Sequence, residues 1–88
     1  MPGDKMATVV FFLSFCNKAI AADPSLPDPY YIKGVLLFGQ GRQENGRYTV
    51  PAETREALSR YLVLSPSGDH AVYVREMLGR IDSAVSVR

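Results

Sequence analysis

The run Lys18-Ala19-Ile20-Ala21-Ala22-Asp23-Pro24-Ser25 returns as Arg60-Tyr61-Leu62-Val63-Leu64-Ser65-Pro66-Ser67, 42 positions later. The register persists downstream, where Tyr31, Ile32, Lys33 and Leu36 align with Tyr73, Val74, Arg75 and Leu78. Each copy reads as a helix end, a turn carrying proline, and the start of a second amphipathic helix. A unit of this size repeated at fixed spacing constrains the chain to a stacked helical array, in which each unit buries its apolar face against the next. Arrays of this kind more often bind proteins than catalyse reactions.

The periodicity around the repeat gives four helices. Helix 1 is expected over about 4–22, capped by Asp4 and uninterrupted by proline until Pro24. Val9, Val10, Phe11, Phe12, Leu13, Phe15, Cys16 and Ile20 surround it almost completely, so it needs cover on more than one side. Helix 2 is expected over 27–38, with Pro27 and Pro29 in its first turn, where the missing N–H groups cost nothing. Tyr30, Gly34 and Leu37 share one of its sides, and Tyr31, Val35 and Phe38 the neighbouring stripe. Segment 39–50 contains Gly39, Gly41 and the turn dipeptide Asn45-Gly46, and reads either as a short hairpin or as a mobile loop. Pro51 opens helix 3, over 51–64. Helix 4 is expected over about 69–83, with Asp69 at its positive end and Val72, Tyr73, Met77, Leu78 and Ile81 turned inward. The expected fold is therefore all-α: one domain over 1–88, an antiparallel four-helix array with a Gly-rich insertion between helices 2 and 3.

Several function classes fall away. A formal net charge of +1 with dispersed basic residues carries no field for nucleic acid. Met6 to Cys16 is too short an apolar run to span a bilayer. With Lys5 before it and Ala19-Ile20-Ala21 after it, this run imitates a secretory signal. Asn17 and Lys18 interrupt it, however, and the Ala-rich stretch belongs to the repeat; no compartment follows. Cys16, the single cysteine, has no disulfide or metal partner and reads as a buried structural thiol. Ser67, Asp69 and His70 sit too close in sequence for a triad and read as a cap, a dipole-favouring acid and a surface His. Glu53, Glu56 and Glu76 lack metal-ligand spacing, and Gly39-Gln40-Gly41 lacks the Lys-Ser/Thr of a phosphate loop. No catalytic residue, metal or cofactor is expected.

The pattern resembles the tetratricopeptide repeat, a 34-residue helix-turn-helix unit reading W-x2-L-G-x2-Y, then A-x3-F, then P. Tyr30, Gly34 and Leu37 stand at the first aromatic, the Gly and the second aromatic positions; Thr54 and Leu58 stand at the A and F places, and Pro66 closes the unit. Leu62 and Leu64 match the usual L-x-L before that proline. Lys33 replaces the Leu, Thr54 the Ala, no Trp is present, and the 39–50 insertion absorbs the extra length. The resemblance implies one expanded repeat flanked by two half repeats.

In the resembled family, first helices of successive units line a concave groove that holds a peptide or a partner segment. Carried onto this chain, the partner-binding positions are Tyr31, Val35 and Phe38 on helix 2, with His70, Tyr73, Met77 and Arg80 on helix 4. The stripe has a competing reading as the seam that packs the helices together, which suits Val35 best. The expected activity is thus a non-enzymatic protein-interaction or assembly module with a protein or peptide partner. A second reading makes the chain a self-associating piece of a longer repeat protein, dimerising through its apolar helix 1. A third makes the insertion the working part, through Arg42, Arg47 and Tyr48.

Overall fold

The computed structural model describes residues 2–44 and 46–86, and the sequence repeat reappears in it as a repeated pattern of hydrogen bonds. The Asp23 N–H donates to Ala19 O (2.9 Å), and at the equivalent place the Ser65 N–H donates to Tyr61 O (2.8 Å). Next, the Leu26 N–H donates to Asp23 O, and its counterpart Gly68 donates to Ser65 O. Both turn prolines have their carbonyls tied to the following helix: Tyr30 Oη–H donates to Pro24 O (3.1 Å), and an Arg75 guanidinium N–H to Pro66 O (2.7 Å). The same chain reversal is thus built twice.

Four helices and one small antiparallel ribbon make up the described residues. They are α1 (Pro2–Ala22), α2 (Pro27–Phe38), β1 (Arg42–Glu44), β2 (Arg47–Thr49), α3 (Ala52–Leu64) and α4 (Ala71–Ser86). The all-α class is as expected, with α2 on its expected bounds. α1 begins at Pro2, so Asp4 lies inside the helix and is not its cap. α3 starts at Ala52, with Pro51 as the flanking residue.

The start of α4 differs from the expected 69, and its cause is tertiary. Tyr61 Oη accepts the His70 N–H (3.1 Å), while the Ala71 N–H donates back to Gly68 O (3.1 Å), so Asp69 and His70 finish the turn. The inward face of α4 also differs. Ala71, Val74, Met77 and Ile81 are buried, whereas Val72 and Tyr73 are exposed. The buried set recurs at i, i+3, i+6 and i+10, the spacing of one helical stripe; the expectation had taken the apolar pair Val72 and Tyr73 as inward, one step out of phase.

The insertion is a hairpin rather than an open loop. Arg42 pairs with Thr49, Gln43 with Tyr48 and Glu44 with Arg47. Gly46 takes φ +79° at the turn; its neighbour Asn45, expected to share that role, lies outside the described residues. Tyr48 fastens the ribbon to the body: its ring lies 5.1 Å from that of Phe38, and its Oη–H donates to Phe38 O (2.6 Å). β2 also reaches α4. An isolated two-stranded ribbon is marginal in water, and this docking supplies the support it needs.

α2 and α3 form the most intimate helix pair, with α1 laid on α2 and α4 on α3. Gly34 sets the α2–α3 approach, because a Cβ there would come within 2.8 Å of Leu58 Cγ. Leu58 lies in the core with Tyr30, Tyr61, Ala71, Val74, Met77 and Ile81. Thr54, also fully buried on α3, has an Oγ1 with no hydrogen-bond partner. The body is 19 Å thick, about two helix diameters. Among the described side chains of α1, Cys16 is buried, whereas Val10, Phe11, Phe12 and Phe15 are all exposed. No helix of the described residues is long and apolar enough to cross a membrane.

Candidate functional site

Helix phase decides which side chains α2 and α4 present to each other. On α2, Tyr30, Gly34 and Leu37 are buried toward α1 and α3, which leaves Tyr31, Val35 and Phe38 half-buried on the adjoining stripe. On α4, Met77 belongs to the core stripe, while Tyr73, Glu76 and Arg80 stand one step around at i, i+3 and i+7.

Phe38 at the end of α2 and four residues of α4, Tyr73, Glu76, Met77 and Arg80, line an open cleft of ≈ 180 Å³. Four of the seven residues expected from sequence to bind a partner therefore line a single depression. Phe38 and Met77 give its lining apolar side chains, Tyr73 is 49% exposed, and the exposed Glu76 and Arg80 bring opposite charges. Ligand and cofactor pockets typically occupy about 300–1,000 Å³. A depression of this size suits one side chain of a polypeptide rather than a cofactor.

Of the other three expected residues, Tyr31 lies against the cleft residue Tyr73, and His70 lies against Tyr31. The Tyr31 ring stacks on His70 at 3.9 Å with 5° between the planes, and it lies 6.5 Å from the Tyr73 ring and 5.7 Å from that of Tyr61. The aromatic band is thus continuous from His70 through Tyr31 to Tyr73, at the edge of the cleft. Burial, followed by the neighbouring phenols of Tyr73 and Tyr61, pushes the Tyr31 hydroxyl above its ordinary pKa, so it is a neutral donor in any physiological contact. Val35 packs against the core, together with parts of Tyr31 and Phe38. Glu76 is the lining residue that the sequence reading did not select. Its spacing of three from Tyr73 and four from Arg80 was available as a signal.

The other residues weighed from sequence are placed as follows. Cys16 is buried, and that burial raises its thiol pKa against a smaller opposing influence from Lys33, which favours the protonated thiol. His70 stacks on Tyr31 and donates its backbone N–H to Tyr61. Among the described residues no three His, Cys, Asp or Glu side chains come together as a metal site. A second depression, of ≈ 280 Å³, lies among α1, α2 and α3. It is lined by Ile20, Tyr30, Lys33, Glu53, Glu56, Ala57 and Arg60, and its Lys33–Glu53 ion pair (3.3 Å) already joins α2 to α3. The hairpin spends Tyr48 on docking to Phe38, leaving Arg42 exposed; the Arg47 side chain lies outside the described residues.

Comparison of the chain with models of known protein families, with curated proteins and with solved structures finds no match.

Proposed function

We propose that this chain is a non-enzymatic protein-interaction module, a degenerate tetratricopeptide-like unit that holds a partner's peptide segment along the faces of α2 and α4. The observation that carries the reading is the cleft between Phe38, Tyr73, Glu76, Met77 and Arg80, continued by the aromatic band of Tyr31 and His70. Tyr, Phe, Met and Arg are the side chains that anchor protein interfaces, and exposed Tyr73 loses little rotamer freedom when covered. An apolar side chain of the partner packs against Phe38 and Met77, and its neighbours face Glu76 and Arg80.

The test begins with a displayed library of short random peptides selected on the folded protein, and proceeds to affinity measurements by fluorescence anisotropy. Tyr73→Ala and Arg80→Ala should each weaken the selected peptides by roughly tenfold or more. Val63→Ser, on the outer side of α3, should leave them unchanged. Selected peptides that bind all three variants with wild-type affinity would place the interaction elsewhere and end the cleft reading.

A further inference from the structure

A single helix presents a convex surface, so α4 alone makes no cleft. It supplies four of the lining residues, Tyr73, Glu76, Met77 and Arg80, and α2 supplies one, Phe38. Where Phe38 stands therefore decides whether there is a depression at all. Phe38 is the last residue of α2, so its carbonyl has no partner within the helix. Two donors from the insertion take it: the Gly41 N–H (3.0 Å) and the Tyr48 Oη–H (2.6 Å). Tyr48 also lays its ring 5.1 Å from that of Phe38. We infer that Tyr48 is the positioning residue of the cleft, through which docking of the β1–β2 hairpin is coupled to capture of a peptide; the coupling rests on the peptide-binding function proposed for the cleft.

Three observations give the hairpin this role rather than that of a direct contact. None of the described lining residues belongs to it, and Tyr48 is half-buried with both its ring and its hydroxyl turned to the end of α2. The seat for that ring is made by the absence of a side chain at Gly41, where a Cβ would lie 2.5 Å from Tyr48 Cζ and 2.6 Å from its Oη. The hairpin also reaches the other side of the cleft, because β2 rests on α4 and Val50, just beyond it, packs against the core. A ribbon of three residue pairs is marginal by itself, so it stays formed only while docked, and only the docked ribbon holds Phe38 in place. Linkage makes the effect mutual. A peptide that binds more tightly when the hairpin is docked must hold the hairpin down by the same factor.

The probe is a library-selected peptide whose affinity Tyr73→Ala lowers, followed by fluorescence anisotropy, with circular dichroism as the check on folding. Tyr48→Ala should weaken it about tenfold, and Gly41→Ala, which keeps the tyrosine but fills its seat, should do the same. Tyr48→Phe keeps the ring and loses the hydroxyl, and should weaken binding about threefold. Arg42→Ala, exposed on β1, should bind as the wild type does. In hydrogen exchange, saturating the wild-type chain with peptide should slow the paired amides of β1 and β2 by about the same tenfold, which a merely structural tyrosine would not do. That measurement needs no variant, so it decides the matter even where a substitution unfolds the chain. If Tyr73→Ala lowers affinity while folded Tyr48→Ala and Gly41→Ala do not, the cleft stands and the coupling is overturned. Hairpin amides that exchange equally fast with and without peptide overturn it too. Loss of affinity in Arg42→Ala would make the hairpin a direct contact and overturn the indirect role. If no selected peptide responds to Tyr73→Ala, the cleft itself fails and the coupling falls with it.

Discussion

Gly34→Ala probes the closest approach in the fold, and the structure lets its sign be worked out. In an unconstrained mid-helix position, alanine stabilises over glycine by about 1 kcal/mol. Here the new Cβ would sit 2.8 Å from Leu58 Cγ and nearer still to Leu58 Cδ2, well inside van der Waals contact. Leu58 is 0% exposed and enclosed by the core, so it can yield only by leaving its rotamer or by parting α2 from α3. Overpacking of this kind costs about 1–3 kcal/mol. The net expectation is destabilisation by about 1 kcal/mol, a fall in Tm of roughly 4–8 °C for a domain of this size. The sharper test is the same substitution in a Leu58→Ala background. Leu58→Ala alone should cost about 2–5 kcal/mol through the cavity it leaves. With the clash gone, Gly34→Ala should then stabilise by about 1 kcal/mol, so its sign inverts between the two backgrounds. Urea unfolding followed by helical circular dichroism measures all four corners of the cycle. Stabilisation by Gly34→Ala in both backgrounds, with the two effects simply additive, would refute the close α2–α3 contact at Leu58.

Three further outcomes follow from single groups. Thr54→Val keeps the shape of a fully buried residue and removes the hydroxyl that has no partner, so it should stabilise by about 1 kcal/mol in the same urea assay. Tyr61→Phe removes the acceptor of the His70 N–H, and should cost about 1 kcal/mol and reduce the protection of that amide in hydrogen exchange. Asp23 accepts a 2.6 Å bond from Ser25 Oγ–H and a 3.1 Å bond from the Ser25 N–H, and these hold its carboxyl below the ordinary range. A depressed acid contributes stability that is present above its unfolded pKa near ~3.9 and lost as pH falls through the folded value. The turn between α1 and α2 should therefore loosen only in acid, and Ser25→Ala should raise the Asp23 pKa in an NMR titration.

The helices were legible because their punctuation is local. Pro27 and Pro29 fix the start of α2, and two proline-bearing turns 42 residues apart mark the helix ends at Ala22 and Leu64. The differences at α4 and the hairpin have a tertiary origin. Nothing near Asp69 in sequence reveals that a hydroxyl on α3 claims the His70 N–H and delays α4. The phase of α4 differs because Val72 and Tyr73 are bulkier than Ala71, whereas burial follows the stripe that meets α3. Both readings of segment 39–50 were open because the ribbon depends on Tyr48 docking against Phe38, ten residues away. For the cleft, the groove of the resembled repeat family, carried onto helices 2 and 4, includes Phe38, Tyr73, Met77 and Arg80, and these four line one depression. The stacking of Tyr31 on His70 needs the turn geometry and was not visible beforehand.

The central claim is that the α2–α4 face takes a polypeptide segment. Amide chemical-shift mapping of the isotope-labelled chain, titrated with a library-selected peptide, tests it most directly. Saturable shifts should concentrate at Phe38, Tyr73, Glu76, Met77 and Arg80 and extend to Tyr31 and His70, leaving Arg60 and Val63 on α3 in place. Shifts confined to α1, to the hairpin or to the outer side of α3 would contradict the account.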